Sequence, residues 1–206
     1  MNLVAGRACF EGGRTRLYAY VHNQVPSAAA RLDEFLQSCG VRNNQRVTIV
    51  TDGAGEFDKA TRRCAQPMCR ILDWSHIAMK FRALELTTFK CLDLLAPSGR
   101  TGRDDIRSAK WLVWQGKGAK AVARLKAIYD SLGVWPEDRY WKLHWNLWQT
   151  LGYLQSNADY LVNYSRRYHK GLPISSSIAE SAVNQAVSLR MAKKRQMRWS
   201  DEGAHL

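Results

Sequence analysis

The sequence predicts an α/β protein. Short runs of β-branched or alternating apolar residues occupy its first part, and a long helical stretch dense in tryptophan follows. Two of the short runs stop at aspartate, the residue with which an α/β sheet commonly equips the carboxyl ends of its strands. At 206 residues the chain suits one domain, or one domain with a large insertion.

Taken in order, Leu3 to Phe10 and Leu17 to His22 flank the turn residues Glu11-Gly12-Gly13, which predicts a β-hairpin. Ala28, Leu32, Phe35 and Leu36 recur at helical spacing up to Cys39, and Gly40 follows as a cap. Val47 to Thr51 reads as a short buried strand that ends at Asp52-Gly53. Glu56 to Cys64 reads as a short helix, Cys69 to Leu72 as a brief strand, and Ile77 to Leu95 as a longer helix. Pro97 to Gly102 has the composition of a linker. Asp104 to His169 reads as helix throughout, with breaks at 116–118 and 133–136 and six of the eight tryptophans between Trp111 and Trp148. A final helix is expected from Ile178 to about Lys194, with Ile178, Ala182, Val183, Ala186 and Leu189 as its apolar stripe. The segments expected are therefore 1–96, a helical insertion over 97–170, and 171–206.

Thirty-one Lys and Arg against 18 Asp and Glu give a formal charge of +13, so a polyanion is the expected partner. A membrane surface fits less well, because the cations are scattered along the chain rather than confined to one amphipathic helix. No apolar run approaches a membrane span and no secretory signal is visible at Met1 to Phe10, so a cytoplasmic location is expected. The five cysteines form no C-x-x-C framework; reduced thiols serving as core fillers are expected, and zinc held by Cys64, Cys69 and His76 matches no known spacing.

Four groups of residues could carry chemistry. Asp52 closes a strand beside a glycine, where a metal or phosphate can approach the backbone, although Asp-Gly is also an ordinary turn. Asp73 and His76, in Asp-Trp-Ser-His, could bind a metal, position a phosphate, or simply cap a helix. Glu180 lies three residues after Ser177, which a capping box explains, yet its helix runs on into Arg190, Lys193, Lys194, Arg195 and Arg198. A strand-end aspartate, a helical glutamate and nearby cations suit two-metal phosphoryl transfer on DNA. Trp141, Trp145 and Trp148 share one helix face; core packing is the expectation, with base stacking beside Arg166, Arg167 or Lys170 as the sharper alternative.

Taken together, Val47 to Ala54, Leu72 to Met79 and Ser176 to Met191, with the tail Gln196-Met197-Arg198-Trp199-Ser200, resemble the transposases of the Kra group of bacterial insertion sequences, relatives of the Mutator-like elements. That resemblance implies a ribonuclease H-like mixed sheet flanked by helices, an all-helical insertion, and an Asp, Asp, Glu triad. Asp52 matches the second aspartate and Glu180 the glutamate, both as metal ligands and catalytic residues. Asp73 and His76 match an accessory acid-x-x-His signature, and the basic run from Arg190 to Arg198 matches a DNA-binding tail. The implied cofactor is magnesium or manganese, two ions in the complete enzyme. The implied partner is double-stranded DNA, at transposon ends and target, bound by a homo-oligomer.

The first triad aspartate has no counterpart between Met1 and Thr51, so a chain lacking its first strand, and inactive as it stands, is the expectation. A non-catalytic DNA-binding remnant, or a ribonuclease H-like nuclease unconnected to transposition, are the other readings.

Overall fold

The computed structural model describes residues 2–10, 14–22, 26–53, 55–91, 93–134 and 136–176. It is an α/β protein whose chain divides into two compact units, one built from 1–70 with 175–206 and one from 71–174. Each strand pair forms a two-stranded sheet of its own.

In the first unit, β1 (Asn2–Cys9) and β2 (Thr15–His22) pair antiparallel in continuous register from Asn2 opposite His22 to Cys9 opposite Thr15. The hairpin expected from the turn residues is therefore formed. Helix α1 (Ala28–Ser38) begins at Ser27, whose hydroxyl accepts the Ala30 N–H. It ends in a Schellman motif, with Val41 N–H on the Leu36 carbonyl, Gly40 N–H on the Gln37 carbonyl, and Gly40 at φ +80°. The apolar face of α1, Ala28, Leu32 and Leu36, packs with Tyr18, Ile49 and Ala60 into the core of this unit.

β3 (Val47–Thr51) and β4 (Met68–Leu72) are neighbours whose starts are level, since Val47 N–H donates to the Pro67 carbonyl at 2.9 Å. Between them, α2 (Gly55–Arg63) is fastened to α1 by Asp33, whose carboxylate accepts the Ala65 N–H and the Cys64 thiol. Asp58 of α2 is buried and paired with the equally buried Arg70 of β4 and with Arg62. An ion pair this sheltered leaves a buried charge uncompensated when either partner is lost, at about 3–5 kcal/mol.

The second unit is helical: α3 (Trp74–Thr87), α4 (Gly102–Trp114), α5 (Gly118–Ser131), α6 (Trp141–Ser156) and α7 (Tyr164–His169). Its core joins Ile77, Phe81 and Leu84 of α3, Ile106 and Val113 of α4, Leu125 and Ile128 of α5, and Leu143, Leu147 and Leu154 of α6. The expected breaks between α4 and α5 and between α5 and α6 are present. A further one, over 157–163, was not expected; there the Asn157 amide turns back onto the Tyr153 carbonyl.

Several expectations need correction. Helix α3 starts at Trp74 rather than Ile77, because Asp73 caps it, and its α-helical part ends at Thr87 before a 3-10 turn over Thr88–Lys90. The linker-like stretch from Pro97 is closed and anchored: Leu95 bridges Thr101, and the Ser98 hydroxyl donates to the buried Asp105 of α4. Gly102 is already helical, so α4 begins two residues before the expected Asp104. By contacts α3 lies in the unit of 71–174. Of the cysteines, all unbridged, Cys91 is buried, Cys39, Cys64 and Cys69 are half-buried and Cys9 is exposed, so only Cys91 is a full core filler.

Candidate functional site

The best-defined polar constellation lies where β4 turns into α3. Met68 and Cys69 are half-buried and Ile71 and Leu72 wholly buried, so the strand enters the core at its carboxyl end. Asp73 then adopts an extended conformation (φ −66°, ψ 120°), and its carboxylate accepts the Ser75 N–H at 2.7 Å. A carboxylate at this position both satisfies an otherwise orphaned amide and meets the positive end of the helix dipole. Asp73 is only 3% exposed.

His76 sits one turn into α3, three residues from Asp73, so the two side chains share the first turn of the helix. The half-buried imidazole lies 5.5 Å, ring to ring, from Tyr153 of α6, and the Lys80 ammonium stands 4.5 Å from the centre of the same tyrosine ring. One helix therefore presents an acid, an imidazole and an ammonium within two turns.

Two contacts hold this turn in place. The Tyr164 hydroxyl donates to the Leu72 carbonyl at 2.8 Å, and burial, reinforced by the nearby Tyr153 and Asp73, pushes its ionisation well above the usual tyrosine range. It is a neutral donor at all ordinary pH. The Trp74 N–H donates to the Ile174 carbonyl at 2.9 Å. The Trp74 ring packs on Trp114, 4.7 Å away, and on Tyr164, 5.2 Å away.

Asp52 follows β3 in the first unit and is exposed. Gly53, at φ +79°, turns the chain sharply and donates its N–H to the Thr51 hydroxyl at 3.2 Å. The strand-to-turn junction and the exposed strand-end carboxylate are thus both present at one residue. Carboxylate oxygens match a hard divalent cation, whereas the His76 imidazole suits a softer one. Among the described residues there is no cluster of three or more potential metal ligands. Glu180, Arg190, Lys193, Lys194, Arg195 and Arg198 lie outside the described residues, and with them the expected meeting of Asp52 and Glu180.

The tryptophan expectation is overturned. Trp141, Trp145 and Trp148 are 50%, 48% and 54% exposed. Helix α6 carries two apolar stripes, and the one that enters the core is Leu143, Leu147, Leu151 and Leu154. Leucines interdigitate between α3 and α5 at that spacing, and the wider tryptophans are left on the outer face. The same helix places Trp145 and Trp148 in a stack 5.0 Å apart.

What the sequence reading missed is the aromatic cluster around Trp114, which meets Trp74, Trp111, Tyr164 and Tyr168. Its signal was present: Trp111 and Trp114 are three apart, Tyr164 and Tyr168 four apart, each a same-face spacing.

No family model, curated protein or solved structure matches the chain. No helix among the described residues is long and apolar enough to cross a membrane.

Proposed function

We propose that this chain is the catalytic-core portion of a DNA transposase of the acidic-triad, ribonuclease H-like kind, cutting and rejoining phosphodiesters with divalent metal. The observation that carries this reading is the turn around Asp73. A strand buried at its carboxyl end runs directly into an acid that starts a helix with histidine on its first turn, and the Trp74 amide is bonded to Ile174, six residues before Glu180. The acid-x-x-His signature is thereby tied at its backbone to Ile174, and this supports reading the two motifs as parts of one site.

In this reading Asp52 and Glu180 would hold magnesium or manganese, which when bound would supply Lewis-acid charge stabilisation for phosphodiester chemistry. Asp73 orders the first turn of α3 through its bond to the Ser75 amide, and that order sets the direction of His76. His76 and Lys80 offer hydrogen-bond donors and positive charge to a phosphate. The remaining cations provide affinity for the DNA backbone without sequence preference.

The test is nicking and strand transfer on a labelled duplex by the purified chain, with magnesium or manganese. With no counterpart of the first triad aspartate between Met1 and Thr51, salt-sensitive duplex binding without cleavage is the expected result; metal-dependent cleavage that Asp52→Ala and Glu180→Ala each abolish would show that a third acid among these residues completes the site. Cleavage that survives both substitutions would remove the acidic-triad reading. A protein that binds DNA without cutting it is the second reading, favoured by the exposed rings and cations of the helical unit.

A further inference from the structure

One face of α4 carries Arg107, Trp111 and Trp114, at spacings of four and three that align them. The opposite face, with Ile106, Ala109 and Val113, is fully buried. Trp111 is nevertheless 50% exposed, and its ring meets Trp114 edge-on at 6.3 Å. Trp114 lies 5.8 Å from Tyr168 of α7, which is 63% exposed. The three rings make one apolar strip across α4 and α7, bedded on the buried Tyr164.

The backbone is shaped to keep these helices together. Gly116 ends α4 at φ +76°, and a Cβ there would stand 3.0 Å from the Asn163 Cα, just before α7. At Gly118 a Cβ would meet the Leu161 side chain at 2.8 Å. Of the two, Gly116 faces backbone, and its lack of a side chain lets the end of α4 lie against the start of α7 near Tyr168.

Arg107 is exposed on the same face of α4, one turn before Trp111. Arg166 and Lys170 are also exposed, two positions either side of Tyr168 and so turned away from its face of α7. None of the three forms a salt bridge with a described acid, whereas Arg82, Arg100, Arg124, Lys126 and Arg139 of the same unit all do. The exposed tryptophans of α6 differ: their helix carries a single Lys and no Arg, so it has little to offer a phosphate.

We propose that the Trp111, Trp114 and Tyr168 strip stacks unpaired bases of a DNA strand whose phosphates are met by Arg107, with Arg166 and Lys170 adding positive charge at the α7 end. The choice of DNA rests on the function proposed above; the stacking does not depend on cleavage. Bases inside a duplex already stack on one another and present only their edges, so aromatic faces flanked by cations select nucleotides that have left the duplex. An acid-triad site that works on strand ends has such nucleotides beside it.

The experiment measures binding of the full chain, by fluorescence anisotropy, to labelled oligothymidylate, to an abasic strand of the same length, and to a closed duplex. The Trp111→Ala, Tyr168→Ala double variant is expected to bind oligothymidylate about tenfold or more weakly, the loss that removing one base-stacking ring produces. Its affinity for the abasic strand and the duplex is expected to be unchanged. Trp111→Phe should retain most of the binding, and Trp145→Ala on α6 should retain all of it; thermal unfolding of each variant establishes that the fold is kept.

Equal oligothymidylate binding by the double variant and its parent would overturn the proposal, as would an equal loss on all three ligands. So would a parent chain that does not bind oligothymidylate. Failure of the parent to bind duplex, with ring-dependent strand binding intact, would instead sink the transposase reading and leave the stacking surface standing.

Discussion

Asp73 illustrates how one carboxylate can serve structure and chemistry together. Its bond to the Ser75 amide is a cap, and an asparagine can make the same bond without the charge. Asp73→Asn is therefore expected to leave the melting temperature nearly unchanged, while Asp73→Ala lowers stability by about 1 kcal/mol. Where the parent chain cleaves, the asparagine variant separates the two roles: lost cleavage at retained stability marks the charge as functional, and retained cleavage reduces Asp73 to a cap.

Cys64 offers a second check at this scale. Burial and the hydrogen bond it donates to Asp33 push its thiol up to about 11. The folded state holds this proton more tightly than the unfolded chain, whose thiol titrates near 8.5. The stabilisation is thus complete below that value and is lost as pH rises through about 11. Cys64→Ser is expected to flatten that alkaline fall in stability, as followed by denaturant midpoints against pH. At neutral pH, mass-resolved alkylation should label the exposed Cys9 well before Cys64 or the buried Cys91.

At the scale of elements, glycines divide by what surrounds them. Gly116 holds a left-handed conformation against the Asn163 backbone. Gly116→Ala should destabilise by roughly 1–3 kcal/mol through backbone strain alone, and more through the contact. Gly152 sits inside α6, exposed, with nothing within 4 Å of the place a methyl group would take. There Gly152→Ala should stabilise by up to about 1 kcal/mol, because alanine loses less conformational freedom in a helix. Thermal unfolding of the two variants reads opposite signs.

The elements also show where local pattern suffices. The β1–β2 hairpin, α1 with its Gly40 cap, and β3 needed only turn residues, period and capping chemistry, all of which act within a few positions of sequence. Capping was one of the readings of Asp73, and its bond to the Ser75 amide moves the start of α3 from Ile77 to Trp74. On α6 both the leucine and the tryptophan stripes recur at helical spacing, so periodicity alone could not choose the inward face.

For the whole molecule, a charge of +13 sets the expectation for binding. Affinity for random duplex should fall linearly in log–log terms as salt rises, by about a thousandfold or more between roughly 50 and 200 mM salt for six or more phosphates neutralised. Titration at several salt concentrations measures the slope. A flat dependence would mean that the positive charge is not spent on phosphates.

By itself the sequence determined the α/β class, most element positions, the basic character, and the residues Asp52, Asp73 and His76 as strand-end and helix-start polar groups. These follow from interactions between residues close in the chain, which sequence records directly. Tertiary structure decided the rest. The partition at Arg70 and Ile71, the exposure of Trp141, Trp145 and Trp148, and the meeting of Trp74, Trp114 and Tyr168 depend on which helix face finds a complementary neighbour. That choice is made by packing between elements distant in sequence: the leucine stripe of α6 is buried while its tryptophans stay at the surface, and a glycine against the Asn163 backbone lets α4 meet α7, which joins two same-face aromatic pairs into one strip.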